Sequence, residues 1–470
     1  MIILLGVKMD ILFFQPAVIS DGRVSYSAIS NGLIALGMYL KQNGYENRIC
    51  HFNGTKKLED FVEEKIREYN PKYIGVNLTW HMHCDSAIRI AQHARRLNPN
   101  IPVVFGGFTA SYFDREILEY AGIGDLTIIR GDAEEPLIEF LKTGEIPNSN
   151  TSFVKDKKII RNNLTYVQVE LPRVRLYYPI TELVDRWEVY LERNQIRTSV
   201  PSLEDKVGHN TAMGEFHLYV GKGCRNNCYY CGGGRDAHKI ISGRNKIQFR
   251  DVEDVKADIE QLVIDSVKTF YIDFDPYPER EFYLSLLKRL SPQNARLMFS
   301  AWCGPVSSEM LDLIDKKFNG AEIVISPETG SEKLRKELIS RGYGKPPFYS
   351  NNNLLEFFGQ LQERGFRAMC HFISGIPEET EEDRRATLDL AKEVKRRYSN
   401  VFTKDYDLAI ERNLCAPPLY IEPCSPLQRT SSIGFRDYLK PEKVPILSPE
   451  SVGQSSKFRE VISRGQDATT

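Results

Sequence analysis

The chain has 470 residues, too many for one ordinary hydrophobic core, so two or three domains are expected. Apolar residues make up 41% and charged residues 27%, as in globular proteins, and 62 Lys+Arg nearly cancel 63 Asp+Glu. That balance offers no basic surplus for nucleic acid, and runs such as Met1 to Val7 and Ile11 to Phe14 are too short to span a bilayer. The first run is followed by Lys8 and Asp10 without a small-residue cleavage site, so no signal peptide and a cytoplasmic location are expected.

From Asp10 to about Leu141, strand-like and helix-like segments alternate. Strands are predicted at 10–15, 47–52, 73–79, 103–105 and 126–129, and between two of them Leu58, Phe61, Val62, Ile66 and Tyr69 recur at helical spacing. Five strands each followed by a helix imply a parallel sheet covered on both faces, and right-handed crossovers make it doubly wound and flavodoxin-like. We assign residues 1–147 to this α/β domain. Residues 148–212 break the rhythm with polar turns, a hairpin-like segment and an aromatic, charged helix, and are read as an inter-domain linker. Alternation resumes over 213–432, with strands predicted at 216–220, 269–274, 297–301, 322–326, 369–373 and 406–410. Six such units suggest a partial (β/α)6 barrel with its active site at the C-terminal strand ends. Residues 433–470 lose periodicity and are read as a C-terminal extension.

Nine cysteines are unevenly placed, which fits a metal site in a reducing compartment better than a disulfide framework. Cys224, Cys228 and Cys231 form C-x-x-x-C-x-x-C directly after the first barrel strand, between Gly221 and Gly223 on one side and Gly232, Gly233 and Gly234 on the other. Thiolates are soft ligands that suit iron–sulfur clusters and zinc, and the glycines allow a tight turn around a cofactor. Structural zinc wants four ligands, usually in two separated pairs, and no second C-x-x-C exists. A cubane held by three thiolates keeps one iron open for the amino and carboxylate groups of a cofactor.

With Tyr230 just before its third cysteine, this loop resembles that of the radical S-adenosylmethionine superfamily. The resemblance continues through Phe249 to Val255, Asp273-Phe274-Asp275, Ile325 to Ser331, the Gly375-Ile376-Pro377 turn and Pro423 to Leu427. It implies that Cys224, Cys228 and Cys231 bind a [4Fe–4S] cluster. It further implies that Tyr230, Glu328, Ser331, Gly375 and Pro377 contact S-adenosylmethionine. Ser300 to Gly304 lacks the arginine-containing pattern common at the third strand, which leaves the cofactor's carboxylate contact unassigned.

The first domain resembles the cobalamin-binding domain that precedes the radical domain in one branch of the superfamily. Gly75 to Thr79, Val103 to Thr109 and Ile129 to Glu134 carry this likeness. It implies cobalamin contacts from Thr79, Gly106, Gly107, Thr109, Gly131 and Glu134. The usual D-x-H-x-x-G is absent after the first strand, so no histidine is expected below cobalt. His81 and His83, in the loop after the third strand, are the weak alternatives for such a ligand, since exposed loop histidines are more often solvated than ligating. The branch implies a methyltransferase acting on an unactivated carbon or phosphorus through a 5′-deoxyadenosyl radical and methylcobalamin. Cyclisation or rearrangement with the same cofactors stays open, as do a radical enzyme with a scaffold first domain and a non-catalytic cobalamin sensor. Expected partners are a small-molecule or peptide substrate and a reductant such as flavodoxin or ferredoxin, with neither nucleic acid nor membrane. The stretches 187–190 and 343–349 could line a pocket, but their aromatic residues are read first as packing.

Overall fold

The computed structural model describes residues 9–20, 23–25, 28–168, 171, 180–196, 216–275, 280–376, 378–403, 419–439 and 446–447. The chain divides into two units, the first built from 1–190, 236–250 and 434–444, the second from 191–235, 251–433 and 445–470.

In the first unit β1 (Ile11–Gln15) is buried at all five positions, as a continuous apolar strand covered on both faces must be. It pairs in parallel with β2 (Asn47–His51) and β3 (Tyr73–Asn77), followed by β4 (Val103–Gly106) and β5 (Leu126–Ile129). The order β2-β1-β3-β4-β5 is the doubly wound, flavodoxin-like order read from the sequence, with its switch point between β1 and β3. Beyond β5 the sheet continues through an antiparallel hairpin, β6 (Thr151–Lys155) and β7 (Lys158–Arg161). The hairpin-like signal after residue 147 therefore adds two strands to this sheet, because β6 covers what would otherwise be the open edge of β5.

The second unit has a six-stranded parallel sheet in chain order: β8 (Phe216–His217), β9 (Thr269–Ile272), β10 (Arg296–Ala301), β11 (Ala321–Glu328), β12 (Arg367–Phe372) and β13 (Val401–Thr403). β8 is shorter than the predicted 216–220, and the strand predicted at 406–410 lies outside the described residues. Ser307, Ser331, Ser350 and Thr380 each end a loop by accepting a hydrogen bond from a first-turn amide of the next helix. These caps fix the loops at the C-terminal ends of the strands, where a partial barrel builds its site.

Candidate active site

Cys224, Cys228 and Cys231 lie on the loop after β8. The loop is closed by its own backbone: Cys231 N donates to the Cys228 carbonyl at 3.1 Å, and Arg235 N to that of Asn226 at 2.8 Å. It is fastened to the distant 422–427 segment, where Gly232 N donates to Glu422 Oε2 at 2.7 Å and Leu427 N to the Tyr229 carbonyl at 3.0 Å. A Cβ at Gly232 would come within 2.3 Å of the Pro423 carbonyl oxygen, so only glycine permits this approach. Burial pushes the Cys228 thiol up to about 12 and those of Cys224 and Cys231 above the ordinary range. The thiols also act on one another: Cys224 raises Cys228, and both raise Cys231.

Such thiols become ligands only when a metal's positive charge stabilises their ionised form. Among the described residues no three His, Cys, Asp or Glu side chains converge on a position for a single metal ion. A cubane makes a different demand, since each thiolate binds a separate iron. Three neighbouring thiols on one glycine-bordered loop, with Gly233 N donating to Cys231 Sγ at 3.3 Å, meet it. Cys303 is buried beside the loop, its Sγ accepting from Asn226 Nδ2 at 3.2 Å, and Cys424 is buried in the 422–427 segment; Cys50, Cys84 and Cys370 are buried elsewhere, and Cys415 lies outside the described residues.

The loop opens onto a cavity whose lining includes Cys228, Tyr230, Ser326, Glu328, Lys345 and Tyr349. Glu328, last in β11, has a left-handed backbone (φ 67°), and the β11–β12 register shifts just before it. There its carboxylate accepts from Ser326 Oγ at 3.0 Å and pairs with Lys345 Nζ. Burial and the charge of the same carboxylate raise the Tyr230 phenol well above its usual range. For Lys345, burial opposes the charged form, but Glu328 and the Cys228 thiol outweigh it and the pKa is raised.

Of the other residues read as cofactor contacts, Ser331 does not line the cavity. Its hydroxyl bonds Asp383 and caps the helix Glu332–Ser340. Gly375 (φ 81°) donates its N–H to Glu379 Oε2 at 3.0 Å, and Pro377 lies outside the described residues. Conversely, the stretch 343–349 supplies six lining residues, where the sequence suggests packing aromatics. Aromatic side chains give the same sequence signal in a core and on a cavity wall. Trp187 and Tyr190 are buried and stacked, as packing requires.

In the first unit Thr79, Gly106 and Gly107, Thr109, and Gly131 and Glu134 lie beyond the C-terminal ends of β3, β4 and β5. Gly107 (φ 105°) has no room for a Cβ, which would meet Leu78 C and Thr79 N at 2.7 Å. The Thr109 hydroxyl donates to the Thr79 carbonyl at 2.8 Å, joining the β3 and β4 loops. Position 131 also demands glycine, since a Cβ there would lie 2.8 Å from Ser242 Cα, and Glu134 opens the helix Glu134–Thr143. At Gly106 alone among these glycines the space is open, the nearest atom to a Cβ being Ile129 O at 3.9 Å. An open strand end one strand from the switch point leaves room for a large planar ligand. His81 and His83, read as exposed, are in fact buried in the turn His81–His83, and burial holds both near a pKa of about 4. The turn packs against the helix Cys84–Leu97 that follows it and against Val18–Ser20, and His81 meets the Tyr438 ring edge-on.

Among the described residues no helix is long and apolar enough to cross a membrane. Comparison with known proteins matches 218–391 to the radical SAM superfamily and 21–141 to the B12 binding domain. The anaerobic magnesium-protoporphyrin IX monomethyl ester cyclase of Rubrivivax gelatinosus is 23% identical over 409 residues, covering 82% of this chain. The chain spans only 66% of that protein's length. The radical S-adenosylmethionine methyltransferase TsrM of Kitasatospora setae superposes with a TM-score of 0.65 at 18% identity, over 89% of this chain and 74% of its own. The cobalamin-dependent radical enzyme OxsB gives 0.59 at 14%, over 90% and 60%.

Proposed function

We propose, from the premise that the chain belongs to the radical SAM superfamily and joins that domain to a B12-binding domain, that it is a methyltransferase acting on an unactivated carbon or phosphorus centre. The supporting observation is the three-thiol loop beside a cavity that carries Glu328, in a chain that also has a B12-binding domain. When bound, the [4Fe–4S] cluster and S-adenosylmethionine supply a radical that abstracts hydrogen, and cobalamin supplies a transferable methyl group.

The protein's own part is positioning. Cys224, Cys228 and Cys231 lose their protons on binding iron, and the Gly232–Glu422 hydrogen bond holds the loop that presents them. Glu328, kept in place by Ser326, offers a carboxylate for the cofactor's ammonium group, a place that the Lys345 ammonium otherwise fills. Tyr229 stacks on Tyr343 with ring centroids 4.4 Å apart, closing the apolar wall of the cavity against water. In the first unit we assign the loops bearing Thr79, Gly106 and Thr109 to the corrin. A reductant such as flavodoxin or ferredoxin and a cytoplasmic setting complete the reading.

A second reading, cyclisation or rearrangement with the same cofactors, is favoured by the likeness to the cyclase named above. The coproducts separate the two. Methyl transfer consumes S-adenosylmethionine twice, so S-adenosylhomocysteine should accumulate alongside 5′-deoxyadenosine, and label from the sulfonium methyl should enter product. 5′-Deoxyadenosine with neither would reject the methyltransferase and support the second reading.

A further inference from the structure

Arg335 is a buried cation with no ion-pair partner among the described residues, and the nearby Glu332 carboxylate and Tyr349 phenol offset the cost of its burial only in part. It projects from the helix Glu332–Ser340 with 7% of its surface exposed, and its Nη2 donates to Asn351 Oδ1. Nε and Nη1, both inaccessible to water, have no hydrogen-bond partner, and among the described residues no carboxylate forms an ion pair with it. The rings of Phe348 and Tyr349 lie 5.7 and 5.1 Å from the guanidinium carbon. They recover part of the cost of removing this charge from water, but a buried ion ordinarily requires an opposite charge or a full set of hydrogen bonds.

The same residue lines the cavity described above. There Lys345 and Glu328 neutralise each other, so Arg335 leaves that wall one positive charge in excess. The remaining lining is mostly apolar, with Tyr343 and Phe348 among its aromatics. An anion entering such a cavity would meet this uncompensated positive charge and gain from the low dielectric around it.

We propose that Arg335 is an anion-recognition residue that binds the carboxylate of a ligand with an apolar or aromatic body. Two sources share this chemistry: the amino-acid end of S-adenosylmethionine, whose carboxylate contact the sequence leaves unassigned, and a carboxylic acid substrate. The S-adenosylmethionine arm rests on the function proposed above; the other does not.

The test uses the iron-reconstituted full chain, its Arg335→Met and Arg335→Lys variants, and calorimetric or equilibrium-dialysis binding of two probe pairs. One pair is S-adenosylmethionine with its decarboxylated form, the other benzoate with benzamide. Arg335→Met should weaken the carboxylate-bearing member of one pair by roughly tenfold to a hundredfold, the scale of a lost charged hydrogen bond, and leave its uncharged or decarboxylated counterpart unchanged. Arg335→Lys should restore part of the loss. An effect confined to the first pair assigns the cofactor's carboxylate, and one confined to the second assigns a substrate acid. Equal weakening of both members of each pair, or no change in any, would overturn the proposal and leave Arg335 a packing residue. Iron content is read alongside: wild-type protein that takes up no iron refutes the cluster assignment, while the benzoate pair still tests Arg335.

Discussion

Gly232 and Cys228 make different contributions to one loop, and two substitutions separate them. Cys228→Ala removes a ligand, and should abolish cluster assembly and 5′-deoxyadenosine formation while sparing corrin uptake in the first unit. Retained activity would overturn the ligand assignment. Gly232→Ala keeps all three thiols but drives a methyl group into the Pro423 carbonyl, 2.3 Å away, so it should lower iron uptake on reconstitution. Iron content equal to wild type would show that the 422–427 segment does not hold the loop. The triad stood out in the sequence because three cysteines crowded into eight residues can share one centre. Ser331 and Arg335 did not, for opposite reasons. Ser331 fits both a cofactor contact and a helix cap, and only its bonds to Leu334 N and Asp383 decide between them. Arg335 carries no sequence signal at all, because an arginine in a helix is ordinarily solvated.

At the scale of elements, the turn after β3 makes the first unit sensitive to acid. His81 and His83 have pKa values lowered from 6.5 to about 4 by burial, with His81 further lowering His83. An imidazole kept neutral in the fold takes up its proton first in the unfolded chain. The stability it supports is therefore complete above about 6.5 and is lost as pH falls toward 4. Between pH 7 and 5 each should cost about 2 kcal/mol, an order-of-magnitude figure. Glu379, raised to about 7 by burial, acts in the reverse sense in the second unit, so the clean comparison is a variant. Urea unfolding followed at both pH values should show a smaller acid loss for His83→Leu than for wild type; equal losses would refute the buried-imidazole account. The sequence placed these histidines at the right strand end but assigned them the wrong exposure. Burial of a short turn depends on what folds over it: His81 packs edge-on against Tyr438, centroids 5.1 Å apart, far along the chain.

For the molecule as a whole, reconstitution with iron, sulfide and hydroxocobalamin should yield about four irons and one corrin per chain, read by metal assay and anaerobic absorbance. Four irons without corrin would keep the radical domain, reject cobalamin-dependent methylation and reduce the first unit to a scaffold. The flavodoxin-like strand order and the parallel second sheet were legible because buried parallel strands are nearly continuous apolar runs, such as Ile11–Gln15. The hairpin that extends the first sheet was seen but not placed, since β6 and β7 are only partly buried and expose Lys155, Lys158 and Arg161, which fits a sheet edge and a surface loop equally well.

The first unit is also discontinuous in sequence, and this bears on how the protein is made. Its Asp132 carboxylate is joined to Arg244 in a buried pair 2.5 Å long, and Gly131 lies against Ser242. Both partners belong to a strip translated only after residues 191–235, and Phe435 and Tyr438, which cover Phe113, come later still. A nascent chain that has just emerged through β7 holds the whole first sheet but leaves Asp132 without its cation. Breaking a buried pair by loss of one partner typically costs about 3–5 kcal/mol. The first unit therefore cannot reach full stability on the ribosome ahead of the second, and corrin loading should be a late, post-translational event.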